Sequence, residues 1–151
     1  MRGCIGTFKP DLLDELVGKY ALISAFEDYR FRGITLKEVP SLSCSVSLLT
    51  DFEDVQDPYD WEIGKHGIQI RFGVNGNNNY GGTFLPEVAK EQNWDHRSTL
   101  AYLVQKAGYN GKLENVINSI KTTRYQSRKV CINFDEYREM RKESPLLNFS
   151  V

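Results

Sequence analysis

Apolar and polar positions alternate most regularly at two places in the chain. From Ser41 to Leu48 the run Ser-Leu-Ser-Cys-Ser-Val-Ser-Leu puts Leu42, Cys44, Val46 and Leu48 on one face and serines on the other. That period of two predicts a strand with its apolar side turned inward and Cys44 buried and structural. Ile68, Ile70, Phe72 and Val74 repeat the pattern. The turn-forming run Asn75-Gly76-Asn77-Asn78-Asn79 follows, and Tyr80 to Leu85 supplies the return strand of a β-hairpin.

Elsewhere the apolar spacing is helical. Leu12, Leu13, Leu16, Val17, Tyr20, Ile23 and Phe26 predict a helix from Asp11 to Asp28 with one face in the core. Pro10 suits its first turn, and Asp11 and Asp14 complement the positive end of its dipole. Pro86 opens a short helix to Asn93; Asp95, with Ser98, caps a second that carries Leu100, Leu103, Val104 and Ala107 and stops at Gly108. Val116–Tyr125 and Lys129–Asn133 read as two short strands, and Asp135–Lys142 as a final helix. The stretch Asp51–Glu62 holds six acids and no base, is broken by Pro58, and reads as an exposed loop. Strands joined by antiparallel turns, with helices segregated from them, predict an α+β class.

The 151 residues match the size of one domain, and a hydrophobic content of 40% is enough for a core. With 19 basic and 20 acidic residues the net charge is −1, which gives no global reason for a nucleic acid or an acidic membrane as partner. The three cysteines, Cys4, Cys44 and Cys131, are widely spaced with no C-x-x-C pair, which argues against zinc and for a reducing compartment. No apolar run approaches the ~18 residues of a membrane span.

Candidate chemistry gathers at the start of the chain. In Arg2-Gly3-Cys4-Ile5-Gly6, two glycines bracket a cysteine on a predicted strand, where glycine is useful only if something must come close. Cys4 is a candidate nucleophile, with Arg2 lowering its pKa or gripping an anion, although free cysteine is more often a small buried hydrophobe. Gly3 and Ile5 share one face of such a strand, Cys4 and Gly6 the other. His66, between Gly64 and Gly67 in Glu62-Ile-Gly-Lys-His-Gly, is a weaker candidate acid or base; a turn that needs glycine explains that run more simply. The acidic stretch lacks the alternating acids and the glycine of a calcium loop. The basic stretch Lys121–Lys142 reads as a solvated face rather than an RNA platform, and Trp94 as an anchor between two helices.

The strings RGCIGTF, YALISAFEDYRF, VSLLTDFEDVQDPYDWEIGKHGIQIRF, TFLPEVAKEQNWD, LVQKAG and TRYQSRKV together resemble the AMMECR domain, the AMME syndrome candidate gene protein family, in its eukaryotic form. The resemblance runs from Arg2 to about Arg141. It implies a single α+β domain over residues 1–151 with a cleft, and expects the family's segment before RGCIG, a helix and a strand, to be missing. It carries the signature onto Arg2, Gly3, Cys4, Ile5 and Gly6, and matches Asp28, Arg30, Phe31, Glu62, Gly64, Gly67, Leu85, Pro86, Glu87, Trp94 and Asp95. The expected ligand-binding set is Arg2, Gly3, Gly6, Glu62, Gly64, Gly67, Trp94 and Asp95, with no metal and no cofactor. The resemblance further implies a nuclear or cytoplasmic protein with a protein partner. Association of microbial relatives with Memo-like and radical-SAM proteins suggests a component of a modification system. The function expected is a pocket or partner-binding protein; the alternatives are an enzyme acting through Cys4 and Arg2 on a small anionic ligand and, more weakly, an RNA-binding accessory.

Overall fold

The computed structural model describes residues 1–74 and 78–143, with the side chains of 78 and 79 left aside. The fold is α+β. The helices are α1 (Leu13–Phe26), α2 (Pro86–Glu91), α3 (His96–Lys106) and α4 (Phe134–Glu143), and the strands β1 (Ser43–Val55), β2 (Gly67–Val74), β3 (Asn78–Phe84) and β4 (Lys121–Asn133). Short 3-10 turns lie at Val39–Ser41, Leu113–Asn115 and Ile117–Ser119. The strands form one sheet in the order β1-β4-β2-β3, with β2 antiparallel to both β3 and β4. No described helix is long and apolar enough to cross a membrane.

The chain divides into two compact units, one of Met1–Val46 with the chain from Val130 on, the other of Ser47–Lys129. The hydrophobic core lies in the second unit. Ile68, Ile70 and Phe72 project from β2 against Leu100, Leu103 and Val104 of α3, with Trp61, Ala89, Leu113, Val116 and Ile120 closing around them. The alternation on β2 is therefore realised as burial, and the α3 triplet falls on one helical face. Asp95 caps α3 by accepting the Ser98 N–H at 2.7 Å. The turn expected at Asn75–Asn79 falls outside the described residues, except that Asn78 and Asn79 begin β3.

Several expectations are corrected. The first strand expected over Arg2–Gly6 does not form; residues 1–12 have no regular structure. Helix α1 forms, but none of its residues is buried. Cys44 lies on β1 yet is exposed, while Val46 on the same face is half-buried. The acidic loop begins later than expected: β1 runs on to Val55, where Glu53 and Asp54 meet Arg124 and Thr123 of β4. The polar run Gln126-Ser127-Arg128 does not divide β4, which is one strand of 13 residues, and Val116–Ile120 is a turn before it.

Candidate functional site

In the first unit the Arg2–Gly6 segment is extended and held by side chains instead of a strand partner. The Asp28 carboxylate, buried in an otherwise open unit, accepts the Cys4 N–H at 2.9 Å. Arg30 donates from Nε to Asp28 Oδ1 at 2.8 Å and from Nη2 to Oδ2 at 2.6 Å, and Nη2 also donates to the Cys4 carbonyl at 2.9 Å. Both main-chain polar groups of Cys4 are thus satisfied by one ion pair. The next residue is held in the same way: Ser24 Oγ accepts the Ile5 N–H at 3.1 Å and donates to the Ile5 carbonyl at 3.4 Å.

Arg2 donates from Nε to Glu38 at 2.8 Å and from Nη2 to the Arg32 carbonyl at 3.1 Å. A side chain at Gly3 would collide with the Ser24 carbonyl of α1, whereas one at Gly6 would meet open space. Gly3 and Ile5 therefore face α1, while Cys4 and Gly6 lie exposed on the other side.

The charges respond to this arrangement. The Arg30 guanidinium, with the Cys4 amide, holds Asp28 well below the usual carboxylate range. Glu38 falls to about 2, chiefly through the Thr35 N–H and hydroxyl, with Arg2 adding to them. Asp28 and Arg30 belong to the family-matching positions but not to the expected site, and the string EDYRF that carries them was the available signal.

In the second unit Glu62, Gly64, His66 and Gly67 form a turn. The Lys65 and His66 N–H groups donate to the Glu62 carbonyl, and His66 Nδ1 accepts the Glu62 N–H at 3.0 Å. Burial first, then the Lys65 and Arg124 charges, lower the His66 pKa, which suits an imidazole that must keep Nδ1 unprotonated to accept. Gly64 has φ +83°, which only glycine adopts readily. Gly67 faces Tyr125 across the β2–β4 ladder, and the ring occupies the space a side chain would need. Trp94, between α2 and α3, stacks on Tyr102 at 4.2 Å, and Asp95 is the α3 cap. Each of these candidates has a structural task.

A shallow, open depression in the second unit is lined by Gly64, Pro86, Glu87, Glu91, Ser127 and Lys129. Three segments separated in sequence meet there. Glu91, Ser127 and Lys129 were not among the expected residues, because their convergence depends on β4 continuing past Tyr125. Among the described residues no group of three or more His, Cys, Asp or Glu is placed to hold a metal ion.

The AMMECR1 family profile matches residues 1–130. An uncharacterized protein of Schizosaccharomyces pombe is 44% identical over 137 residues, covering 91% of this chain and 69% of its own. One from Arabidopsis thaliana is 47% identical over 139 residues, covering 91% and 65%. The crystal structure of an uncharacterized protein from Pyrococcus horikoshii aligns with a TM-score of 0.71 at 30% identity, over 86% of this chain and 64% of that one. The chain spans about two thirds of the length of these relatives.

Proposed function

The chain belongs to the AMMECR1 family, and on that premise we propose that it is a binding module of the nucleus or cytoplasm whose Arg2–Gly6 segment offers a fixed surface to a protein partner. The observation that carries this reading is the Asp28–Arg30 pair gripping the N–H and carbonyl of Cys4. Charged groups beside a nucleophile would be expected to act on its thiol or on a substrate. Here their recorded bonds go to main chain and to each other, so they fix a segment in place. Arg2, the anion-binding group of the enzyme reading, directs Nε and Nη2 to Glu38 and Arg32. The RNA reading loses support as well, since Arg124 pairs with Glu53 and Asp60, and Lys142 with Glu139.

Gly6→Val tests the proposal, because it adds bulk on the open side of the segment, where an added Cβ meets nothing within 4 Å. Affinity capture from cell extract, with proteins and small molecules both quantified, should find proteins retained by the parent and lost by Gly6→Val at unchanged Tm. Equal retention by the two, or retention of a small molecule in place of any protein, overturns it.

A further inference from the structure

We propose that α1 is a self-association surface, on which two copies of the chain pack antiparallel along Leu12, Glu15, Lys19, Leu22 and Phe26. These positions recur at spacings of three, four, three and four, the period of a helix seam that meets another helix. Leu12, at the N-cap, is 64% exposed, Leu22 61% and Phe26 59%, and Glu15 and Lys19 are exposed as well. The helix carries apolar residues on several sides, the composition of one that is covered, yet none of its residues is buried. Its opposite side is already in use, since Ser24, about half a turn round from Leu22, holds Ile5 and abuts Gly3. The seam is therefore independent of the surface offered by the Arg2–Gly6 segment.

The charges on the seam select a second copy as the occupant. Among the described residues, neither Glu15 nor Lys19 has a hydrogen bond or an ion pair from its side chain. The neighbouring acids are turned to local donors: Asp11 accepts the Leu12 N–H and Asp14 the Glu15 N–H, each at 3.0 Å. In an antiparallel pair whose two-fold axis passes beside Val17, each Glu15 meets the partner's Lys19, and each Leu12 meets the partner's Leu22. The face is thus complementary to itself both in charge and in apolar area. A parallel pair would set Glu15 against the partner's Glu15 and Lys19 against the partner's Lys19, so the charges also fix the direction. The seam from Leu12 to Phe26 is about 21 Å long. A single helix pair of that length buries less than the ~800 Å² per partner of a standard interface, which places the dimer in the weak class, with a Kd of roughly 10–100 µM.

Sedimentation equilibrium of the full chain from ~1 to ~500 µM should show monomer passing to dimer, and a monomer throughout overturns the proposal. Leu22→Glu should weaken the dimer about tenfold or more, because it sets a carboxylate against the partner's Leu12. Glu15→Lys and Lys19→Glu should each weaken self-association by a similar factor, since each seam then carries two like charges. The two single variants mixed together should associate as tightly as the parent, and so should the double variant, because opposite charges face each other again in both. All three positions are exposed, so circular dichroism should be unchanged in every variant. A dimer indifferent to Leu22→Glu overturns the proposal by placing the interface elsewhere. A mixture that associates no more tightly than the single variants alone overturns it by denying the antiparallel register.

Discussion

Gly67→Ala puts the packing of the second unit to a direct test. An added Cβ would lie 2.5 Å from Tyr125 Cζ, 2.6 Å from Cε2 and 2.8 Å from the hydroxyl. Ordinary carbon contacts sit at about 3.5–4.0 Å, so the ring must withdraw by roughly 1 Å. The ring has no slack, since Tyr125 is 0% exposed. Its hydroxyl lies 2.9 Å from Thr83 Oγ1 and 3.1 Å from the Phe84 carbonyl, and the same displacement carries it beyond reach of both. Overpacking costs about 1–3 kcal/mol and each lost hydrogen bond about 0.5–1.5 kcal/mol, for a total of about 2–6 kcal/mol.

For a chain of this size, at about 2–4 °C per kcal/mol, that is a fall in Tm of roughly 4–24 °C. Thermal unfolding followed by circular dichroism measures the shift, and urea unfolding the loss of free energy. The second arm is Tyr125→Leu, which removes the ring, so that adding Gly67→Ala should then cost less than about 0.5 kcal/mol. A silent Gly67→Ala, or an equal cost in both backgrounds, would refute the argument that the glycine is there to seat the ring.

Two pH predictions follow from the same structure. Burial pushes the Tyr125 phenol up to about 12 from 10.0. Because the folded state holds that proton more tightly, its stabilisation is complete below pH 10 and is lost as pH rises towards 12; Tyr125→Phe should flatten the alkaline limb of the stability curve measured by urea unfolding. Glu38 and Asp28 have the opposite sign, with folded values depressed, so their contribution is present above the ordinary carboxylate range and is lost as pH falls towards 2. The Cys4 amide resonance should therefore hold its position through pH 4 and move only under stronger acid, whereas a midpoint near 4 would show that Asp28 is not paired as described.

What the sequence revealed depended on where the cover for each pattern lies. The alternation at Ile68–Phe72 and the Leu100, Leu103, Val104 triplet were legible because each side's apolar stripe is met by the other's, and period then equals burial. The alternation at Leu42–Leu48 is equally regular and correctly gave a strand, yet Cys44 is exposed. Period reports backbone geometry and says nothing of what packs on the face. The family resemblance makes the Arg2–Gly6 segment a strand, although its two glycines weaken one. Its main chain is instead bonded by side chains 19 to 26 residues away, a partnership with no local signature.

Seen without their partners, the acids at Glu53 and Asp54 look like loop residues. Their partners Arg124 and Thr123 lie some 70 positions later, so the charge pairing that makes this a strand end is visible only across the ladder. Of the candidate site, the glycines at 64 and 67 and the cap at Asp95 were visible, while the depression beside Gly64 was not, because one side of it is the unbroken second half of β4.

The grip on Cys4 has a consequence for what can stand at that position. Asp28 and Arg30 hold the peptide and leave the side chain to itself, so position 4 behaves as a socket whose mounting is independent of the fitting. Serine, alanine or a thiol-linked fluorophore should sit on the same rail, at the same height above the surface, and differ only in what they display. Proline alone breaks the mounting, since it lacks the N–H that Asp28 receives. A dye attached at Cys4 is then a stationary reporter, and a change in its emission signals something arriving at the face it shares with Gly6.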